Sequence, residues 1–202
     1  DKLHRAYHAK DCAETAEVYD DWAAEYEQHM KNVGYTHPAM VAAMVARHVA
    51  PTDERVLDAG AGTGVLGEIL SGLGYRNLSG LDASTGMLKL AGLKKNYRDL
   101  SHQFLGQTLT FDDDCFALVA SSGVFTQGHA PLDGLDELIR VTRPGGHLVF
   151  SVARTYLDGL FEPKRQQLEE SGLWRFADAS ERYNSAPLED TLISQVFVFQ
   201  VL

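Results

Sequence analysis

Residues 55–64 read Arg-Val-Leu-Asp-Ala-Gly-Ala-Gly-Thr-Gly. Val56-Leu57 has the apolar character of a short buried strand. Three alternating glycines follow, Gly60, Gly62 and Gly64, and Val65 to Leu73 then carries helical apolar periodicity. A strand, a glycine turn and a helix N-terminus gather unsatisfied backbone N–H groups where a ligand can touch them. Glycine is needed in such a turn because a Cβ would block a close ligand or forbid positive φ. Any fold for this chain must therefore place a strand end, an open turn and a helix start side by side.

The ligand is narrowed by counting. A dinucleotide-binding turn needs glycines at relative positions one, three and six. Counted from Gly60, the sixth position is Val65, which also disfavours a nicotinamide oxidoreductase. A P-loop needs Gly-Lys-Ser/Thr, and Gly64 is followed by Val65. Asp58 at the strand end would repel a phosphate and suits a ligand with an ammonium group and a positive centre. Asp82 lies 24 residues on, at the end of the next expected strand. A carboxylate there can accept from both hydroxyls of a ribose; the other reading is a capping aspartate.

Strand and helix signals alternate through the chain. Ala13 to His29 places Val18, Trp22, Ala23 and Tyr26 on one helical face. A second helix is expected from Thr36 to His48, with Thr36 as cap and Pro38 in its first turn. After the glycine turn, Leu78 to Asp82 reads as a strand, and Ser84 caps a helix that buries Met87, Leu88 and Ala91. His102 to Leu105 is expected as a third strand. Phe116 to Ala120 is an apolar run suited to a central parallel strand. A helix through Leu135 and Leu138 follows, then a tight turn at Arg143-Pro144-Gly145-Gly146 and a fifth strand, His147 to Val152. Glu162 to Ser171 reads as a polar helix. Leu173 to Phe176 and Gln195 to Val201, with no helix between them, are expected to pair antiparallel. This pattern predicts an α/β fold built of right-handed βαβ units.

At 202 residues, 45% hydrophobic and 23% charged, the chain suffices for one well-filled domain. We expect a single domain, with residues 1–50 as a helical cap and residues 51–202 as the core. The formal charge of −10 argues against a nucleic-acid backbone as partner. Cys12 and Cys115 stand in no metal-ligating spacing, so no metal is expected, and reduced thiols fit a cytoplasmic setting. No apolar run reaches membrane-span length, and no signal peptide is visible, so no membrane role is expected.

Taken in order, these segments resemble the class I S-adenosylmethionine-dependent methyltransferases. Val56 to Gly64 looks like that family's first motif, and Leu81-Asp82-Ala83-Ser84 with Met87-Leu88 looks like its second. Phe116 to Ser121 resembles its fourth strand, and Leu138 to Gly146 the helix and turn before its fifth. The resemblance implies a Rossmann-like, seven-stranded, mostly parallel sheet with helices on both faces and an antiparallel final strand. A narrower resemblance, to the Williams–Beuren-region methyltransferase-like proteins, rests on Tyr19-Asp20-x-Trp22-Ala23-x-x-Tyr26, Ser84-x-Gly86-Met87-Leu88 and Leu105-Gly106-Gln107. It carries no substrate class.

The resemblance implies roles for particular residues. Gly60, Ala61, Gly62 and Thr63 would pack on the methionine part and sugar of S-adenosylmethionine, with Asp58 near its ammonium end. Asp82 would hold the ribose, and Ala83 and Met87 would flank adenine. Gly106, Gln107 and Thr108 would meet the adenine edge. Many members carry an acid at the position of Gln107; its carbonyl can still accept, without the charge-assisted part. Ser121 and Ser122 would lie at the methionine end. Tyr26 and Tyr19 would close the pocket, where an aromatic face gains cation–π attraction to a sulfonium; ordinary core packing is their other reading.

His129 is the candidate base, since an unshifted imidazole suits proton removal near neutral pH; a surface loop histidine is its other reading. Tyr35, Arg154 and Tyr183 are candidates on the acceptor side. The Asn/Asp-Pro-Pro-Tyr/Phe of amide and exocyclic-nitrogen methylases is replaced by Ser121-Ser122-Gly123-Val124. Methyl transfer to a small-molecule acceptor is the expected activity, releasing S-adenosylhomocysteine. A cofactor-binding module without turnover, and a protein or RNA methylase, are the alternatives.

Overall fold

The structure, a computed structural model, describes residues 12–189 and 192–202. Residues 1–12 are polar and unpatterned and suggest a loose arm or the start of a helix; of these, residues 1–11 lie outside the described residues. Two helices come first, α1 (Cys12–Asn32) and α2 (His37–His48). Strands and helices then alternate: β1 (Val56–Ala59), α3 (Val65–Gly72), β2 (Leu78–Asp82), α4 (Thr85–Leu93), β3 (Asp99–His102), β4 (Phe116–Phe125), α5 (Gly134–Val141) and β5 (Thr142–Ala153). One helical turn, α6 (Arg154–Leu157), and α7 (Phe161–Glu170) lead to β6 (Trp174–Ala179), β7 (Tyr183–Asn184) and β8 (Ile193–Val201).

The sheet runs β3-β2-β1-β4-β5-β8-β6, with β7 paired to β8 at the side. Strands β1 to β5 are parallel, and β8 is antiparallel to both β5 and β6. The expected α/β sheet, with its reversed closing strand, is the sheet observed. Chain order reverses between β1 and β4. Open α/β sheets bind ligands outside the carboxyl ends of the strands at such a switch point, and the glycine turn sits there.

Alternation along each strand places one core on each face of the sheet, and a third cluster gathers Trp22, Met30, Val33 and Ala186. Leu57, Val119, Leu148 and Phe150 share one with Leu135, Leu138 and Phe161 of α5 and α7. Val56, Leu118, Val149 and Val198 share the other with Val41, Val45, Leu66 and Leu70 of α2 and α3. Both faces of β1 are thus covered, and burying each such side chain contributes about 1.5–3 kcal/mol. At the far edge Trp174 stacks on Phe199, centroids 3.9 Å apart, and holds β6 to β8.

Three local expectations are corrected. The third strand is Asp99–His102, three residues before the apolar His102–Leu105. Its position is set by Ser79, whose hydroxyl donates to Asp99 at 2.8 Å, and by Leu100, which fills the space that Gly80 leaves open. Thr36 makes no side-chain cap to α2; its hydroxyl faces Asn184 O and Ser185 O at 3.5 and 3.4 Å. Arg143 to Gly146 do not leave the sheet. They form an irregularity inside β5, between the pairs Phe116–Thr142 and Leu118–His147.

Candidate functional site

The glycine turn after β1 has its backbone in the left-handed region at all three glycines, with φ of +82° at Gly60, +54° at Gly62 and +86° at Gly64. The N–H groups of Gly60 and Ala61 both donate to Leu81 O, at 2.9 and 2.8 Å, which ties the turn to the end of β2. Gly62 N donates to Asp82 Oδ2 and Ser84 N to Asp82 Oδ1, each at 2.8 Å. Asp82 is therefore aimed by two backbone donors from two different turns. Burial raises its pKa above the ordinary carboxylate value, and those donors oppose the rise. Apart from Gly62 itself and its two chain neighbours, no heavy atom lies within 4 Å of where a Cβ on Gly62 would sit. The space beside this turn is an open cradle.

That cradle belongs to a cleft of about 740 Å³, counted to its open mouth. Its floor is made by Gly60, Gly62, Asp82 and Ala83, and one wall by Met87 with Gln103, Phe104 and Leu105. The opposite wall is Ser122, Gly123, Val124, His129 and Ala130, from β4 and the loop after it. Helix α1 roofs the cleft with Thr15, Ala16, Tyr19 and Tyr26, and Tyr35 closes the end. Tyr19 Oη lies 2.7 Å from His129 Nε2, and the Thr15 hydroxyl donates to Gly128 O, so roof and wall are joined. The cleft has the mixed apolar and polar lining of a small-ligand site.

The decisive comparison is with known sequences. Residues 57–150 match the family described as a methyltransferase domain. Methyltransferase-like protein 27 of Homo sapiens is 31% identical over 181 residues, which is 86% of this chain and 73% of that protein. The chain belongs to the S-adenosylmethionine-dependent methyltransferases. The human relative agrees with the narrower Williams–Beuren resemblance. The demethylmenaquinone methyltransferase of Clavibacter sepedonicus is 32% identical over 73% of this chain, which spans 61% of that protein. The tRNA U34 carboxymethyltransferase of Trichlorobacter lovleyi is 32% identical over half of this chain and a third of its own length. Among solved structures, a TehB-like methyltransferase from Corynebacterium glutamicum shares the fold at a TM-score of 0.63, with 21% identity over 90% of this chain and 99% of that one.

A methyltransferase donor needs a sugar-binding carboxylate, backbone-lined space and an apolar adenine slot. The cleft offers all three: Asp82, the open space at Gly62, and the apolar pair Ala83 and Met87. Of the residues singled out in the sequence, Tyr19, Tyr26, Gly60, Gly62, Asp82, Ala83, Met87, Ser122 and His129 line it, as does Tyr35. Ala61 and Thr63 are buried in the turn and do not. Ser121 points away from the cleft and donates to Ala59 O at 2.6 Å. Strand alternation turns its neighbour Ser122 toward the cleft instead.

Four other assignments change. Gln107 and Thr108 are exposed outside the cleft, and Gly106, at φ +97°, packs near Pro131. Gln103, Phe104 and Leu105 take the place beside Met87. The shift follows from β3 ending earlier than its apolar residues suggest.

Asp58 is the fourth. Its side chain lies on the α2–α3 side of β1 and does not line the cleft. Tyr97 Oη donates to Asp58 Oδ2 at 2.6 Å. The Tyr97 ring occupies a slot that exists because Gly64, Gly67 and Gly80 lack side chains; a Cβ on Gly67 would stand 2.2 Å from the phenol oxygen. Burial raises the Asp58 pKa to about 7, the Tyr97 bond opposes this, and the Asp82 charge adds to it. Tyr97 was missed in the sequence; its one signal is an aromatic residue in the loop before β3.

His129 also departs from expectation. Burial pulls its pKa down to about 4. The imidazole is neutral at pH 7, with Nδ1 facing Gln127 O at 3.4 Å and Nε2 taken by Tyr19. The expected unshifted base is absent. Arg154 and Tyr183 do not line the cleft; Arg154 pairs with Asp158, and Tyr183 Oη lies 2.7 Å from the Nδ1 of buried His37.

Proposed function

We propose that this chain transfers a methyl group from S-adenosylmethionine to a small acceptor without formal charge. The observation that carries the reading is the acceptor end of the cleft. Tyr19, Tyr26, Tyr35, Ser122, Gly123 and His129 wall it, and no lysine or arginine is among the described lining residues. An anionic acceptor, or a nucleic-acid backbone, would find no counter-charge there. The roof formed by α1 also suits an acceptor small enough to be enclosed. The demethylmenaquinone relatives support this class, and the tRNA relative supports the competing one.

In this reading Gly60 and Gly62 present backbone to the donor's methionine part, Asp82 accepts from the ribose hydroxyls, and Ala83, Met87 and Phe104 enclose the adenine. Bound S-adenosylmethionine supplies a methyl on a sulfonium, an already activated leaving group. The chain's task is then alignment, which can supply about 7–11 kcal/mol of the barrier. His129 is a poor base at neutral pH, so its role is to hold Tyr19 and the roof rather than to take a proton.

The test has two stages. Calorimetry is expected to show binding of S-adenosylmethionine and none of NAD; the reverse would sink the donor assignment. Asp82→Ala should weaken binding at least tenfold, as loss of a charge-assisted pair of hydrogen bonds implies. Labelled donor is then incubated with fractionated cell extract. Label in the small-molecule fraction supports the acceptor class, and label confined to RNA or protein overturns it.

A further inference from the structure

Two motifs noted in the sequence, Tyr19-Asp20 and Ser84-x-Gly86, meet in space. Asp20 stands on α1, one residue past the tyrosine that lines the cleft. Its Oδ1 accepts from Ser84 Oγ at 2.5 Å and from Gly86 N at 2.7 Å, and its Oδ2 lies 3.4 Å from the Thr85 hydroxyl. A residue of the roof thus caps the N-terminus of α4 from outside that helix. Gly86 permits the approach, since its Cβ would stand 3.0 Å from Asp20 Oδ1 and 3.2 Å from Asp20 Cα. The same Ser84 accepts from Met87 N at 3.0 Å and donates its own N–H to Asp82 Oδ1 at 2.8 Å. One serine therefore links the roof, the helix carrying Met87, and the carboxylate at the cleft floor. Lys94 of that region pairs with Glu27 of α1 at 2.9 Å, a second tie along the same seam.

We propose that Asp20 is a positioning residue for Asp82: by holding Ser84 it fixes the carboxylate that receives the ribose, and so couples docking of α1 to donor affinity. The proposal rests on the reading of the cleft as the donor site. Asp20 touches no cofactor atom in this scheme. With Asp20 removed, Ser84 Oγ loses its acceptor and Gly86 N its partner, and Ser84 is held only by Met87 N on its Oγ and Leu88 N on its carbonyl. The donor that Ser84 N offers to Asp82 Oδ1 is then aimed less firmly. The loss falls on ligands that use Asp82, namely those with ribose hydroxyls, and spares those without them.

The experiment measures dissociation constants of the full chain for S-adenosylhomocysteine, adenosine and 2′,3′-dideoxyadenosine. Asp20→Ala is expected to bind S-adenosylhomocysteine about tenfold more weakly, the scale of one charge-assisted hydrogen bond. The preference for adenosine over its dideoxy analogue should shrink by a similar factor. Asp20→Asn keeps an acceptor oxygen for Ser84 and Gly86 and should recover most of the affinity. Unchanged affinity in Asp20→Ala overturns the proposal. So does an equal loss for both nucleosides, which would mean that α1 matters only as a cover. A wild-type chain that binds no S-adenosylhomocysteine overturns the donor reading and this proposal with it.

Discussion

A carboxyl with no exposed surface, held by a phenol at 2.6 Å, titrates unlike a surface aspartate. Asp58 is raised from 3.8 to about 7 mainly by burial. A raised folded-state pKa means that the folded chain binds this proton more tightly than the unfolded chain. The stability it contributes is therefore full below pH 3.8 and is lost as pH rises through about 7. Asp58→Asn should remove that limb from a plot of melting temperature against pH; an unaltered plot would show that Asp58 does not titrate in this window. Tyr97→Phe deletes a hydrogen bond that opposes the rise, so the Asp58 midpoint, read by infrared spectroscopy of the carboxyl band, should climb further. The same variant should cost about 1–3 kcal/mol for a buried acceptor left unpaired.

Among the elements, the glycine turn tolerates least. Gly60→Ala places a Cβ 2.3 Å from Val124 Cγ2 at a φ of +82°. The backbone alone costs about 1–2 kcal/mol in that region, and the displaced Val124 would shift the cleft wall. We expect lower thermal stability together with lost donor binding; normal binding would mean that the turn relaxes freely. The closing hairpin is sensitive for a different reason. Trp174 is 1% exposed, stacked on Phe199 and parallel to Phe150. Trp174→Ala should cost about 3–5 kcal/mol in denaturant unfolding with little change in donor affinity, since this edge lies away from the cleft. A large change in affinity would show that the sheet transmits the loss.

For the molecule as a whole, buried histidines set an acid limb. Burial lowers His37 to about 3 and His129 to about 4 from 6.5. A depressed folded-state pKa means that the unfolded chain binds the proton first. Their contribution is present above pH 6.5 and is lost as pH falls through about 4 and then about 3. This opposes the Asp58 limb, so the two partly cancel between pH 4 and 6.5 in the intact chain. His37→Gln, which can still meet Tyr183 and Ser194, should flatten the acid side in melts across that range. An acid limb as steep as in the parent would exclude His37 as its source. Among the described residues, no helix is long and apolar enough to cross a membrane.

The positions of Gly60, Gly62 and Asp82, the order of strands and helices, and the antiparallel ending were legible in the chain because their causes are local. Glycine spacing reports positive φ, apolar periodicity reports helix or strand, and an acid at a strand end is placed by that strand. Other features depend on contacts between residues far apart in sequence. Leu100 over Gly80 chose the register of β3 and thereby moved Gln103 to Leu105 into the wall expected of Gly106 to Thr108. Tyr97, 39 positions from Asp58, meets the first motif's acid on the face of β1 away from the cleft and donates to it. The Tyr19–His129 and Asp20–Ser84 contacts join segments 110 and 64 residues apart. No periodicity encodes which oxygen meets which donor across such distances; the packing of α1 on α4 and on the loop after β4 sets the last two.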